Sequence, residues 1–450
     1  MTQLGEAVAR YHKILESETV RTSGWAEELR EQMVARRLMV AGRPVSPVLR
    51  PHFLSRRQYI NLAKNAESLH SAIDRLRMLV IRNPQLMARM ELLPAEKMLA
   101  AVDPGYASPA ISALLETHVN NGSLHVTGGQ ADLPHGVVYG EILSDLFYDA
   151  APVKELRKKF KLDKVGAVKP LLSALLKAWK EFGGKTKPSI AILEFKQPFQ
   201  TVDTQEHLLL AEVFRRGGYA AEIISPDQIE YRNGQLSWNG FGIDVVYRGV
   251  TAHEFMLRFD LNHPLVRAYR EGKVCVVNSF RTEMTRKRAL FALLSDDAVT
   301  ASFPIAERKA IEESIPWTRM LAPSKTKRNG VEIDLPEYAL RHRDSLVLRP
   351  NDSGSEQPSY EGAAMSDAAW DGACRQAIRH GYVVQDRIAP HPVSFPVDLY
   401  GDVVYRDLLV EVSPQAFLGK VQGCVAKISS AQGSYSGLSG YAPAFILETK

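Results

Sequence analysis

The stretch from Leu346 to Ile388 constrains this chain more than any other. LVLRP reads as an apolar strand ending on a cation, Arg349, and it runs into a loop of small and polar residues, NDSGSEQPSYEG. A helix follows, with Ser366 as N-cap and Gly381 as its stop, and then a second apolar strand, Tyr382–Gln385. That order suits a clamp for a nucleoside triphosphate. The cation neutralises phosphate charge, the loop's backbone N–H groups can fold over phosphate oxygens, and the second strand offers backbone groups and an apolar wall to a purine. Loops rich in Gly, Ser and Asn are common on any surface, so the weight rests on the order strand–Arg–Pro–loop–helix–strand.

The rest of the chain divides by its periodicity. Residues 1–100 read as a helical region, in which Glu27–Val40 and Arg57–Ile81 carry apolar residues at helical spacing. Leu62, Ala66, Leu69, Ile73 and Leu76 form one stripe of the second helix. Between the two, VAGRPVSPVLRPHFLS holds three prolines and reads as a connector. Residues 101–187 contain the helix KPLLSALLKAWKEF, with Pro170 in its first turn and Gly183-Gly184 to stop it. Residues 188–280 alternate strands with helices. Ile190–Leu193, Ala220–Ile224, Val245–Tyr247 and Val274–Val277 suit a small parallel sheet, and Asn233-Gly234 marks a hairpin. Residues 281–450 return to strands around the Leu346–Ile388 stretch, with a hairpin at Gly401-Asp402. The expected class is therefore α+β or α/β.

Composition excludes several classes of function. A 450-residue chain with 45% hydrophobic and 24% charged residues is an ordinary multidomain globular protein. No apolar run approaches the roughly 18–20 residues that a membrane-spanning helix needs. The N-terminus, MTQLGEAVARYHKILESETV, mixes acidic with apolar residues and does not read as a secretory signal, so a cytoplasmic location is expected. Cys275, Cys374 and Cys424 are scattered without metal-like spacing and suit reduced thiols. The net charge of +5 is unevenly spread, with eleven Lys/Arg against three Asp/Glu between Lys154 and Lys187. That run reads as a solvated helical face, and no nucleic-acid motif accompanies it, so neither nucleic acid nor membrane is an expected partner. No GxSxG follows a strand and no HExxH occurs, which argues against a serine or zinc hydrolase.

Five ordered segments resemble the circularly permuted ATP-grasp proteins related to glutathionylspermidine synthase. They are RPVSPVLRPHFLSRRQY, PHGVVYGEILSDLFYDAAPVKEL, IDVVYRGVTAHEF, VVNSFRTEMTRKRALFALLSD, and VLRPND with YVVQDRI. The resemblance covers roughly Val40 onward. It implies a circularly permuted ATP-grasp fold with a helical N-terminal region and a small α/β pre-grasp domain. It also implies ATP and Mg2+ as cofactors, and small-molecule or peptide carboxylate and amine substrates joined through an acyl-phosphate. Arg349 stands where the family has a strand lysine, and Arg288, with Lys287 beside it, stands for an earlier helix lysine. Asn351, Ser353 and Gly354 fall in the phosphate lid, and Gln385, Asp386 and Ile388 on the adenine strand. Asp398 matches an acidic magnesium ligand.

Other positions depart from that pattern. Gly128 and Gln130 stand where the family has a magnesium-binding glutamate and asparagine, and Glu411 replaces a further asparagine, leaving Asp132 or Glu411 as substitute ligands. Pro358 stiffens the lid, and Glu356 would face phosphates with like charge. Arg281 and Arg248, each just after an apolar strand, are candidate substrate or phosphate contacts, with a salt bridge between subdomains as the competing role for Arg248. His253 reads as a hydrogen-bonder at a helix start, and Asp296-Asp297 as a cap or turn. Two readings stay open: a ligase with a modified site, or a degenerate ATP-grasp protein that binds a nucleotide, a peptide-like ligand or a partner protein without ligation.

Overall fold

The computed structural model describes residues 2–108, 110–120, 123–131, 136–196, 205–389, 391–430 and 438–448. Its largest element is an eight-stranded sheet. The strands run in the order His52–Ser55, Ser439–Leu447, Lys420–Ser429, Asp402–Phe417, Ser112–Asn120 and Ser123–Gln130, with Leu162–Lys164 and Val393–Leu399 paired alongside. The sheet thus joins strands from both halves of the chain. Helix Arg56–Arg82 starts in a capping box of Ser55 and Gln58 and covers one face. Its expected stripe is buried, Leu62 near Val412, Cys424 and Ala444, and Leu69, Ile73 and Leu76 in a cluster with Leu115 and Val126. Helix Val137–Asp149 lies on the opposite face, where Gly140 passes close to Val425.

A second, smaller sheet is antiparallel, in the order Thr318–Met320, Tyr382–Asp386, Leu346–Pro350, Tyr360–Glu361. Leu346, Leu348, Tyr382 and Val384 pack against Trp370, Ala373 and Ala377 of helix Asp367–Arg379. Strand alternation therefore turns Val347, Arg349, Val383 and Gln385 to the other face. The helix is capped by Ser366, as its sequence implies.

The third sheet is parallel, in the order Cys275–Val277, Val245–Tyr247, Ile190–Leu193, Ala221–Ile224. Helices cover it, which is why its strands read as continuous apolar runs. Asn233 and Gly234 both take positive φ, 52° and 75°, as a two-residue hairpin of this hand requires.

Two expectations fail locally. The helix expected over Glu27–Val40 ends at Ala35, and Met39–Val40 pairs with Arg43–Pro44 as a short ribbon. The proline-rich connector also contains His52–Ser55, a strand of the central sheet whose Phe53 and Leu54 are buried beside Phe445 and Ile446. Tertiary burial of those two side chains outweighs the local turn signal. Among the described residues, no helix is long and apolar enough to cross a membrane.

Candidate functional site

The face of the central sheet opposite helix Arg56–Arg82 carries charge beside the area that helix Val137–Asp149 covers. Val412 and Leu115 point to helix Arg56–Arg82, so Glu411 and Glu116 point away from it. Lys427 stands directly opposite Glu411 on the next strand, and Tyr441 opposite Lys427. Glu116 is opposite Gly128, and a β-carbon built there would lie 2.5 Å from Glu116 Oε2. Gln130 Nε2 donates to Glu116 Oε1 at 3.3 Å, and Ser413 Oγ donates to Glu411 Oε1 at 3.2 Å.

Arg349, from the small sheet, faces these carboxylates. Burial pulls its pKa down, while Glu116, Glu361 and Glu411 oppose the shift. Its guanidinium makes no hydrogen bond or ion pair to any described residue. Arg288 joins it, held by Nη1 donating to Pro350 O at 2.8 Å, with Nε buried and unpartnered. Burial pushes Arg288 down to about 10, with Arg349 and Arg286 adding to the shift and Glu116 and Asp352 opposing it. Glu411 is pushed up to about 7 by burial and by the Glu116 charge, against Lys427, the Ser413 hydroxyl and Arg349. His118, on the same strand face as Glu116, is lowered to about 4 by burial and then by Arg349. Two guanidiniums and two carboxylates therefore lie within reach of one another's charge, with no ion pair between them among the described residues.

The turn after the small sheet's strand is stapled to the start of helix Arg288–Leu294. Arg288 N donates to Asn351 O at 2.8 Å, Ala289 N to Asn351 Oδ1 at 2.9 Å, and Asn351 Nδ2 to Met90 O at 3.1 Å. Asp352 accepts from Arg286 Nε at 2.8 Å, Lys287 Nζ at 2.9 Å and Gly354 N at 2.8 Å. Although burial opposes it, these partners hold the Asp352 carboxyl well below the usual range. Gly354 lies so close to Arg286 that any β-carbon would overlap the guanidinium.

Sequence reasoning thus finds Arg288, Arg349, Asn351 and Glu411 gathered at one place. Lys287 is close in sequence but spends its ammonium on carboxylates, 2.9 Å from Asp352, 3.3 Å from Glu96 and 3.4 Å from Glu283. The lid N–H groups are used locally, Ser353 N on Arg286 O and Gly354 N on Asp352, rather than left open to an anion. Gln385 is fully buried, its Nε2 on Thr318 Oγ1 at 2.9 Å and its Oε1 unpartnered. Asp386 pairs with Arg328 at 2.8 Å and Ile388 is half-buried just beyond the strand.

Three candidates stand apart. Arg248 is 1% exposed, with donors on the carbonyls of Asn278, Val250 and Ser279 and on Thr282 Oγ1. Such a guanidinium supports backbone rather than a ligand. Arg281 Nε and Nη2 donate to Ala100 O and Ala101 O, satisfying the end of helix Pro94–Ala101. Asp398 accepts from Gly401 N at its own hairpin and pairs across from Val403. From Val403 to Glu411 the strand runs on for about 27 Å. Asp132 lies outside the described residues. Sequence reasoning missed Glu116, Arg286 and Glu96. The pairing of Glu116 with Gly128 depends on a register between strands that no local motif encodes.

No protein-family model matches the sequence, and no curated protein matches it. Among solved structures, a glutathione synthetase-like effector from Globodera pallida, in apo form, matches 94% of this chain and 96% of its own. The TM-score is 0.56 at 12% identity. The fold is ATP-grasp-like. Looser matches include a gamma-glutamylcysteine synthetase candidate from Methylobacillus flagellatus, over 87% of each chain at TM-score 0.43 and 10% identity. Another is the ATP-grasp ligase PsnB with minimal precursor, Mg and ADP, over 58% of this chain and 87% of its own at 0.30 and 14%. Likeness at such identity speaks for architecture, and function has to be argued from the site.

Proposed function

We propose that this chain is an ATP-dependent, ligase-like protein that joins a carboxylate to an amine, with the triphosphate lying between the small and central sheets. One observation carries the reading. Arg349 projects into the space between the sheets without a hydrogen-bond or ion-pair partner among the described residues, beside an Arg288 whose Nε is buried and unpartnered. A partly desolvated guanidinium is costly unless an anion completes it, and its planar fork suits phosphate oxygens.

In the proposed reaction a substrate carboxylate oxygen attacks the γ-phosphorus and ADP leaves. The amine nitrogen then attacks the acyl carbon, forming the C–N bond as phosphate departs with the C–O electrons and takes up the proton that the amine loses. Arg288 and Arg349 would hold and orient the phosphates. Their fixed charge neutralises the leaving and transferring groups without reorganisation at the moment of reaction. The face beneath them offers two hard oxygen donors, the carboxylates of Glu116 and Glu411, beside His118 and Lys427, and Gly128 leaves the room that Glu116 fills. That donor set fits Mg2+. Glu116 and Glu411 would hold the ion, which when bound supplies further neutralisation of phosphate charge.

The reading takes the chain as circularly permuted, in support of which the central sheet sets strands from 112–130 beside strands from 402–447. Small-molecule or peptide carboxylate and amine substrates and a cytoplasmic location belong to the same proposal. A second reading, binding without ligation, is favoured by the capture of Lys287 and of the lid N–H groups by local carboxylates and carbonyls.

Calorimetric titration with ATP, with and without Mg2+, tests the first step. Binding is expected in wild type and its loss in Arg349→Ala. No heat at millimolar ATP would sink both nucleotide readings. Phosphate release in the presence of amino acids, thiol peptides and polyamines then separates them, because turnover excludes binding alone.

A further inference from the structure

We propose that Lys287 is a positioning residue, an internal cation that locks the turn at Asn351–Asp352 and so sets Arg288 and Arg349 for their anion. The inference rests on the phosphate-site reading above and assigns Lys287 a role other than contact with phosphate.

Three elements far apart in sequence meet on this one ammonium. Glu96 comes from helix Pro94–Ala101, Glu283 from helix Glu283–Arg286, and Asp352 from the loop after the small sheet. Lys287 is 4% exposed, Glu96 1% and Glu283 0%. The ammonium donates to Glu96 and Asp352, and Glu283 stands 3.4 Å away as a third, ion-paired carboxylate, so its charge is already matched by protein anions rather than by a phosphate. The cage reaches the α/β domain as well, through His253 Nδ1 at 3.0 Å from Glu96 and 3.8 Å from Asp352. Glu96, His253 and Asp352 bring ligand atoms within 4.8 Å of one another, an arrangement that would suit a metal ion, and Lys287 puts its own charge among them.

The cage acts on the backbone that carries both arginines. Lys287 and Asp352 form an antiparallel bridge. The next residue, Arg288, is bonded through its N–H to Asn351 and through its guanidinium to Pro350. Arg349 precedes Pro350 on the strand that leads into this turn. Fixing Asp352 against Lys287 therefore fixes the spacing of the two guanidiniums, and misplacement by about 1 Å is enough to lower binding or rate strongly.

The test is calorimetry of the full chain with inorganic tripolyphosphate, a probe that needs no base. Lys287→Ala is expected to weaken binding roughly tenfold or more, to leave the salt dependence of affinity unchanged, and to regain affinity when methylammonium is added. Unchanged affinity overturns the proposal, as does a salt slope reduced by about one charge with no rescue by amine, which would make Lys287 a direct phosphate ligand. If Lys287→Ala does not fold, Asp352→Asn opens the same cage from its more exposed side, with the same outcomes on affinity. If wild type binds neither tripolyphosphate nor ATP, the phosphate-site reading falls by itself. Amide exchange at Ser353 and Gly354 then decides the lock: faster exchange in the variant supports it, and unchanged exchange overturns it.

Discussion

Gly128 and Glu116 face each other across neighbouring antiparallel strands, and the Glu116 carboxylate occupies the space that a side chain at Gly128 would need. The two positions share one volume, so acids on both strands would crowd unless the Glu116 carboxylate swings away. Glu116→Gly is expected to remove the Mg2+-dependent part of any rise in melting temperature with ATP. Gly128→Glu alone should destabilise by crowding carboxylates. The double exchange should recover most of the Mg2+ effect, since mass action on the native state depends on the ion being held and not on the strand that holds it. Melting curves of the four proteins with ATP, with and without Mg2+, check this. A double variant no better than Glu116→Gly would show that the strands are not interchangeable.

The Glu411 carboxyl gives stability a specific pH dependence. It is held up to about 7 by burial and by Glu116, against about 4.3 in an unfolded chain. In metal-free protein the folded state therefore keeps a proton that the unfolded state has released. The stabilisation is complete below about pH 4, is lost as pH rises to about 7, and is absent above that. Glu411→Gln should thus raise the melting temperature at pH 8 more than at pH 5 in EDTA. Equal shifts at both values would mean that the charge is relieved by other means.

Much of this was legible in the residues themselves. The helix stripe Leu62–Leu76, the strand ending at Arg349, the Ser366 cap and the Asn233-Gly234 hairpin each carry a short-range signature, and each is where it was expected. Arg288 and Arg349 come together because helix start and strand end are joined by Asn351. The parts that were not legible depend on pairing at long range. Asp398 and Glu411 lie on antiparallel partner strands, yet along the sheet they are separated by many residues, a distance that composition does not encode. Arg248 looked like a ligand contact because a cation after a strand often is one, but backbone carbonyls from a neighbouring strand end and turn consume it.

Arg248 provides a clean separation of stability from binding. Its guanidinium is 1% exposed and satisfies three carbonyls and the Thr282 hydroxyl. Arg248→Met would leave those acceptors without donors in a dry setting, at a cost of about 3–5 kcal/mol. A large drop in denaturation midpoint is expected. The fraction that stays folded should bind ATP with wild-type affinity, because none of the four partners belongs to the space between the two sheets. A variant of normal stability and lost affinity would return Arg248 to the ligand site.

Gly354 and Arg286 make a second close approach, and it can be tested by coupling. A β-carbon at position 354 would overlap the Arg286 guanidinium, which is also bonded to Asp352 at 2.8 Å. Gly354 has no need of a left-handed backbone, since its φ is not positive, so glycine is required here only for space. Gly354→Ala must therefore push Arg286 off Asp352 or lift the loop from the helix, costing about 1–3 kcal/mol. In an Arg286→Ala background the clash is gone, and the same substitution should be nearly neutral. Chemical denaturation of the two single variants and the double variant measures the difference, expected to lie within the range of 0.5–3 kcal/mol seen for residues in contact. Additive effects would show that the loop already stands away from Arg286 in solution, and with it that Asp352 is not held as the cage around Lys287 requires.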